Sequence, residues 1–526
     1  MKRKILNLIP KVLVLAGVMS FLTGCSLTGA QEETVYLKIY NSGDYIYTHD
    51  PDNGYEEKDL TEQFVDWINL KENKETYFGK DFNKRIDIIY DMYDTNETMY
   101  NELKTGKSSY DLICPSDYMI QKLAKEEMIQ KVDRSKLDNY FNNSSPFLTG
   151  EDGKLSKVII DHDDLSKGTM NDYGVGYFWG TLGLMFNPGS PLIKNRSVEE
   201  VIEDFTAPNG WDALWEKEEH YKGVASIKDS IRDCYALGIL HGLKDQDGQN
   251  QFAKLYKDYD GNYDDPEYNL KLTELFNRCD DETIKMVEDA LIALKDNIYG
   301  FEVDTGKTDI VTGKVAVNLA WSGDAVFSMD TAEEVENYLY YTISSYGANI
   351  WFDGWSIPSS SEGDSLEAAY AFLDFLAIPS IAAMNMDYVG YTSFIAGDEV
   401  LGLVHEWYDG ESEDLYPYDL SYFFDGTLKD GESDPVVYIE NEQLNRQMRA
   451  QYPLESDLNH LVSMEDFGAR NDAVVLMWEN VRVNPLPLWI SIFVISSFAF
   501  ILVFLGSYKV LRKVKLKKRK ALRLKK

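Results

Sequence analysis

Strand-like and helix-like runs alternate along this chain from about residue 34 onward. TVYLKIYN, starting at Thr34, and RIDIIYDMY, starting at Arg85, read as strands, with a loop from Ser42 to Asp59 after the first. Between them, DLTEQFVDWINL from Asp59 sets apolar residues at helical spacing behind an acidic cap. NETMYNELKTG then predicts a helix with Asn96 as N-cap and Gly106 as stop, and YDLICPSDYMIQKLAKEEMI predicts strand, turn and helix. GVGYFWGTLGLMFNP, Gly174 to Pro188, is apolar without alternation and predicts a buried extended segment. VEDALIALKD from Val287 predicts an amphipathic helix, and GKVAVNLAWSGDAVFSMD from Gly313 a strand running into a turn and helix. NIWFDGWSIPSSSE, Asn349 to Glu362, reads as a strand entering a turn. LEAAYAFLDFLAIPSIAAMNMDYVGYTS from Leu366 reads as a long helix broken at Pro379, and DFGARNDAVVLMWENVR as a last helix. The alternation predicts an α/β fold with parallel strands linked by helices. A length of 526 residues exceeds one core and predicts two lobes of about 150–250 residues.

The two ends differ from this pattern. Residues 1–25, MKRKILNLIPKVLVLAGVMSFLTGC, have a basic start, an apolar run and a small-residue site, the layout of an export signal. Leu22-Thr23-Gly24-Cys25 resembles the bacterial lipobox, which implies lipidation at Cys25; an uncleaved signal anchor is the other reading. Leu486 to Ser507 carries no charge over 22 residues, long enough to cross a hydrocarbon core of about 30 Å as a helix. The tail that follows, 508–526, is rich in Lys and Arg without an acid, so the positive-inside rule predicts it to be cytoplasmic. Residues 26–485 are then extracytoplasmic. The tail's charge reads as contact with anionic lipid, not as a nucleic-acid patch.

All 88 Asp and Glu lie between residues 26 and 485, against a total of 52 Lys and Arg in the whole chain. This balance argues against a nucleic-acid partner and suits a cationic one. Besides Cys25 there are three cysteines, Cys114, Cys234 and Cys279, with no CxxC pair. They form no disulfide framework and no zinc site, although a single bridge such as Cys234 with Cys279 stays open. The hydrolase, Walker and dinucleotide motifs are missing, and the acidic loops lack the ligand spacing of a calcium loop. No enzyme chemistry, metal or cofactor is expected.

Several predicted strand ends share one theme, an aromatic beside an acid or a small polar residue. These are Asp44-Tyr45, Ser116-Asp117-Tyr118, Asp229 to Asp233, Trp321-Ser322-Gly323-Asp324, Trp351-Phe352-Asp353 and Gly390-Tyr391. An ammonium over an aromatic face gains roughly 0.5–2 kcal/mol, and a carboxylate adds a charge-assisted hydrogen bond. Flat rings also cover methylene chains. Such a site suits an elongated amine cation.

The ordered segments YNSGDYI, YDTNETMYNELK, YDLICPSDYMIQKLAKEEMIQKVDRSKLDN, YFWGTLGLMFN, NLAWSGDA, NIWFDGWSIP and DYVGYTS resemble the spermidine/putrescine-binding proteins of bacterial ABC importers. The resemblance implies a type II two-lobed periplasmic-binding-protein fold with crossover hinge strands, here with an added C-terminal transmembrane helix. It implies one lobe from 34–178 with 352–398 and a second from 179–351 with 399–483, hinged near Phe178 to Gly180 and Asn349 to Asp353. It assigns Asp353 as the main carboxylate for a ligand amine, Trp351 and Trp321 as stacking rings, and Asp233 as the acid at the other end. Ser116, Tyr118, Tyr391 and Asp44 complete the expected set, and Trp355 keeps a core role. Ser42-Gly43-Asp44 stands where relatives carry a tryptophan, so one wall of the box is expected to lack its ring. Ser230 stands where many relatives have a second aspartate. The implied partners are a polyamine, an ABC permease with its ATPase subunits, and the membrane. A membrane-tethered sensor or adhesion protein, or a receptor for another small cation, is the alternative on the same fold.

Overall fold

The computed structural model describes residues 33–483, less 151–152, 154–157, 160–167, 209, 217–219, 263–264, 304 and 430–433, and scattered helical positions between 496 and 517. The signal, Cys25 and most of the expected membrane segment lie outside the described residues. Among the described residues no single helix is long and apolar enough to cross a membrane.

The first sheet has three parallel strands in the order Arg85–Tyr93, Thr34–Ser42, Leu112–Ile113. Thr34–Ser42 is central because its inward residues Leu37 and Ile39 are fully buried, while helices close the sheet's face. Leu60–Ile68 buries Leu60, Phe64, Val65 and Ile68, one stripe at helical spacing. Phe64 meets Phe372 and Phe375 of the helix Gly363–Leu376 at ring distances of 5.1 and 5.6 Å. Pro379 ends that helix as expected. The next one, Pro379–Val389, leaves at 78°.

The second sheet has eight strands, and here the expectation of parallel strands is corrected. Val175–Phe186 runs antiparallel to each strand it pairs with: Ala348–Trp355, Val317–Trp321, Tyr340–Thr342 and Thr392–Ser393. Ala225–Lys228 and Gly300–Glu302 extend the sheet in parallel beyond Val317–Trp321, and Leu461–Val462 closes the other edge. The reason is that one strand serves several neighbours along its length. All 12 of its residues are buried, which matches its unbroken apolar pattern.

The three glycines of VGYFWGTLGLMF let large rings cross this strand. A Cβ on Gly176 would lie 2.1 Å from the Phe394 ring, on Gly180 2.8 Å from Trp351 Cζ2, and on Gly183 2.3 Å from Tyr341 Cζ. Elsewhere, Asn96–Thr105 is capped by Thr95, whose hydroxyl accepts from the Thr98 N–H at 3.2 Å, and not by Asn96. Asn96 is engaged with Ser116 instead, donating to its hydroxyl and accepting from its N–H. Gly106 stops this helix in the left-handed region, φ 61°. Lys295 donates to the carbonyls of Val481, Arg482 and Val483, closing the C-terminus of the helix Asn471–Arg482. Cys114, Cys234 and Cys279 are free thiols.

Gly183→Ala is expected to destabilise the fold by about 2 kcal/mol through the Tyr341 overlap, measured by chemical denaturation. An unchanged midpoint would show that the ring moves away at no cost.

Candidate cation-binding site

The register of the second sheet gathers the expected residues. Asp353 pairs with Phe178, Trp351 with Gly180, and Trp321 with Leu182. Phe178, Gly180 and Leu182 are two residues apart, so their side-chain directions coincide and the three partners share one face of the sheet. A β-bulge falls between Asp353 and Gly354, a device that re-aims a side chain beside a site. Asp353 is half-buried although the residues on both sides of it are buried.

Tyr45 donates its hydroxyl to Asp353 Oδ2 at 2.7 Å, and the Ser116 side chain also hydrogen-bonds this carboxylate. Around them stand the Tyr45 ring, 5.3 Å from Phe178 and 5.6 Å from Tyr391, and the Trp351 ring, 5.5 Å from Tyr391. Among the described residues no Lys or Arg pairs with Asp353. Burial raises its pKa above the ordinary carboxylate value, against the pull of the Ser116 and Tyr45 hydrogen bonds. The buried Trp351 Nε1 has no partner among the described residues either.

A second group adjoins the first. Tyr391 donates its hydroxyl to Asp324 Oδ1 at 2.9 Å, with its ring against Gly323, where a Cβ would lie 2.5 Å from ring carbons. Trp321 donates its indole N–H to Asp233 Oδ2 at 3.1 Å. Burial raises the Asp233 pKa, opposed by Ser230, Lys228 and Trp321. Lys228 pairs with Asp324 at 2.7 Å and lies 4.5 Å from the Trp321 ring centroid.

The structure thus brings Asp353, Trp351, Tyr391 and Ser116 together, and joins Trp321 and Asp233 to them through Tyr391, Asp324 and Lys228. Tyr118 is tied elsewhere: its hydroxyl donates to Glu97 at 3.0 Å and the Arg232 guanidinium lies 4.2 Å from its ring centroid. Asp44 is exposed in a left-handed turn, φ 52°. Its neighbour Tyr45 makes the contact to Asp353, and so the box wall expected to lack a ring has one. Trp355 is buried against Tyr177 and Phe372, in the core role expected. The residues missed as members of the set are Tyr45, Asp324 and Lys228. The first two were visible as aromatic-acid neighbours at strand ends; Lys228 carried no such signal.

Rings and carboxylates gathered on one sheet face suit the binding of a small cationic ligand. The chain belongs to the bacterial extracellular solute-binding protein family, whose model matches residues 76–397. The spermidine/putrescine-binding periplasmic protein of Escherichia coli is 28% identical over 309 residues, 58% of this chain and 70% of the relative. The putrescine-binding periplasmic protein SpuD of Pseudomonas aeruginosa is 26% identical over 360 residues, 68% of this chain and 77% of the relative. The crystal structure of the spermidine/putrescine ABC transporter substrate-binding protein PotD from Streptococcus pneumoniae is similar with a TM-score of 0.50 at 24% identity. That match covers 85% of this chain and 99% of the solved one, and it shows the mixed α/β solute-binding fold.

The unmatched carboxylate has a stability signature. A raised folded pKa means that stability is fully present below the unfolded value and is lost as pH rises through the folded one. Asp353→Asn in the ligand-free protein is therefore expected to melt about 3 °C higher than wild type at pH 7, with the gap closing near pH 4. A lower melting temperature at pH 7 would show that the carboxylate stabilises the fold.

Proposed function

We propose that this chain is the extracytoplasmic substrate-binding component of an ABC importer for polyamines, putrescine and spermidine among them. The observation that carries this reading is Asp353, a half-buried carboxylate with two hydroxyl partners, no basic partner among the described residues, and Tyr45, Trp351 and Tyr391 around it. A ligand ammonium supplies the missing charge and the rings supply cation–π attraction and cover for methylenes. The names of the two periplasmic relatives support the same ligand class, and family membership supports a solute-binding role.

Binding proceeds without chemistry. Residues 34–178 with 352–398 form one lobe and 179–351 with 399–483 the other, hinged where Phe178 to Gly180 meets Asn349 to Asp353. The pairing of those two strands across that point supports the division. Closure brings Tyr45 of one lobe onto the sheet face that carries Trp321 of the other, and the closed form docks on a permease driven by its ATPase subunits.

Cys25 and the 486–507 segment hold the receptor at the membrane, with 508–526 on the cytoplasmic side. The uncharged run and the exposure of Phe500, Ile501, Val503 and Phe504 support a helix that faces lipid. Such a tether raises the receptor's effective concentration at its permease.

Calorimetric titration of the full chain in detergent is expected to show heat with putrescine or spermidine, and Asp353→Ala is expected to weaken binding about a hundredfold. The cation binds the ionised carboxylate, so affinity should fall as pH drops through the raised Asp353 pKa. Undiminished affinity in Asp353→Ala would remove the carboxylate from the site. Deleting residues 486–526 is expected to reduce uptake at low ligand concentration in cells that keep the lipid anchor; unchanged uptake would argue against the tether.

A further inference from the structure

The segment Lys228–Asp233 places one of the protein's own cations in a setting made for a ligand amine. Lys228 ends the strand Ala225–Lys228 and is only 2% exposed. Its ammonium lies 2.7 Å from Asp324 Oδ2 and 3.7 Å from Glu302 Oε1, and donates to the Val303 carbonyl at 3.3 Å. The same ammonium stands 4.5 Å from the Trp321 ring centroid. Carboxylates at the sides and an indole face beneath are the contacts a bound amine makes. This cluster is continuous with the Asp353 box through Tyr391, which bonds Asp324 and packs on Trp351 and Tyr45.

Charge matching separates the carboxylates into two kinds. Asp324 is matched: burial alone would raise its pKa, and Lys228, with Lys307 at 4.0 Å, holds it below the ordinary range. Glu302 is shared among Lys228, the Gly306 N–H and Asn318. Asp353 and Asp233 are of the other kind. Among the described residues neither has a Lys or Arg within 4.0 Å, and burial raises both, Asp233 against the longer-range attraction of Lys228 and Arg232.

Building on the polyamine reading above, we infer that Lys228 makes this a diamine site: it neutralises Asp324 and occupies a face of Trp321, leaving Asp353 and Asp233 for two ammonium groups and, among the described residues of this cluster, no free carboxylate for a third. Lys228 is then a specificity-determining residue that disfavours the longer, triply charged ligand by filling the place of its third amine.

The test titrates the full chain in detergent with putrescine and with spermidine, for wild type, Lys228→Met, and the double variant Lys228→Met with Asp324→Asn. Wild type is expected to bind the diamine about tenfold more tightly than the triamine. Lys228→Met frees Asp324 and should erase that ratio, and the double variant, which removes the freed carboxylate, should restore it. A purely structural ion pair would weaken both ligands alike and leave the ratio unmoved. A wild type that binds the triamine as tightly as the diamine, or an unmoved ratio in a cooperatively melting Lys228→Met, overturns the inference and leaves polyamine binding standing. Binding of neither amine overturns the polyamine reading and this inference with it. Should Lys228→Met fail to fold, the wild-type ratio and Lys228→Arg decide: the arginine keeps the charge and must keep the diamine preference.

Discussion

The strand Val175–Phe186 sets the geometry of everything that bears on function. It is buried at every position and pairs with four other strands, so no neighbour can slip register without turning its side chains to the wrong face. Opposite its even-numbered positions stand Asp353, Trp351 and Trp321. Gly180 between them has no side chain, and the Trp351 ring and the Ser322 hydroxyl fill the space that a Cβ would take. Packing of this strand and construction of the site are one constraint.

Electrostatics then sorts the acids that this geometry collects. Asp324 carries its counter-ion with it in Lys228, while Asp353 has only hydroxyl partners. A half-buried carboxylate without a cation is costly in the empty protein and becomes favourable when a cation arrives. In the proposed reading, the feature that weakens the ligand-free fold is also the one that supplies binding energy.

The local elements were legible because each is carried by residues close in sequence. The helix over 60–68, the part from Val287 of the helix Asp281–Lys295, the break at Pro379 and the stop at Gly106 follow from spacing and backbone restriction. The trio Trp351, Asp353 and Trp355 was legible as a short stretch, and two of the three sit at the site. What required the structure is long-range. The Tyr45 contact to Asp353 spans 308 residues, so a loop that reads as having lost its ring still provides one from the next position. The antiparallel pairing of the second sheet could not follow from strand–helix alternation, which speaks of local order and not of a strand shared by several neighbours. Lys228 carried no signal in the sequence; its burial between Asp324 and Glu302 is what gives it meaning. Thr95 and Asn96 are both good caps, and the competing bond from Asn96 to Ser116 decided between them.

The central claim is that Asp353 receives a ligand ammonium on the face of the Val175–Phe186 sheet. A crystal structure of the full chain with bound putrescine tests it most directly. An amine nitrogen is expected within hydrogen-bond distance of Asp353, flanked by Tyr45, Trp351 and Tyr391. A ligand bound away from Asp353, or an Asp353 carboxylate turned to water with the ligand in place, would contradict it.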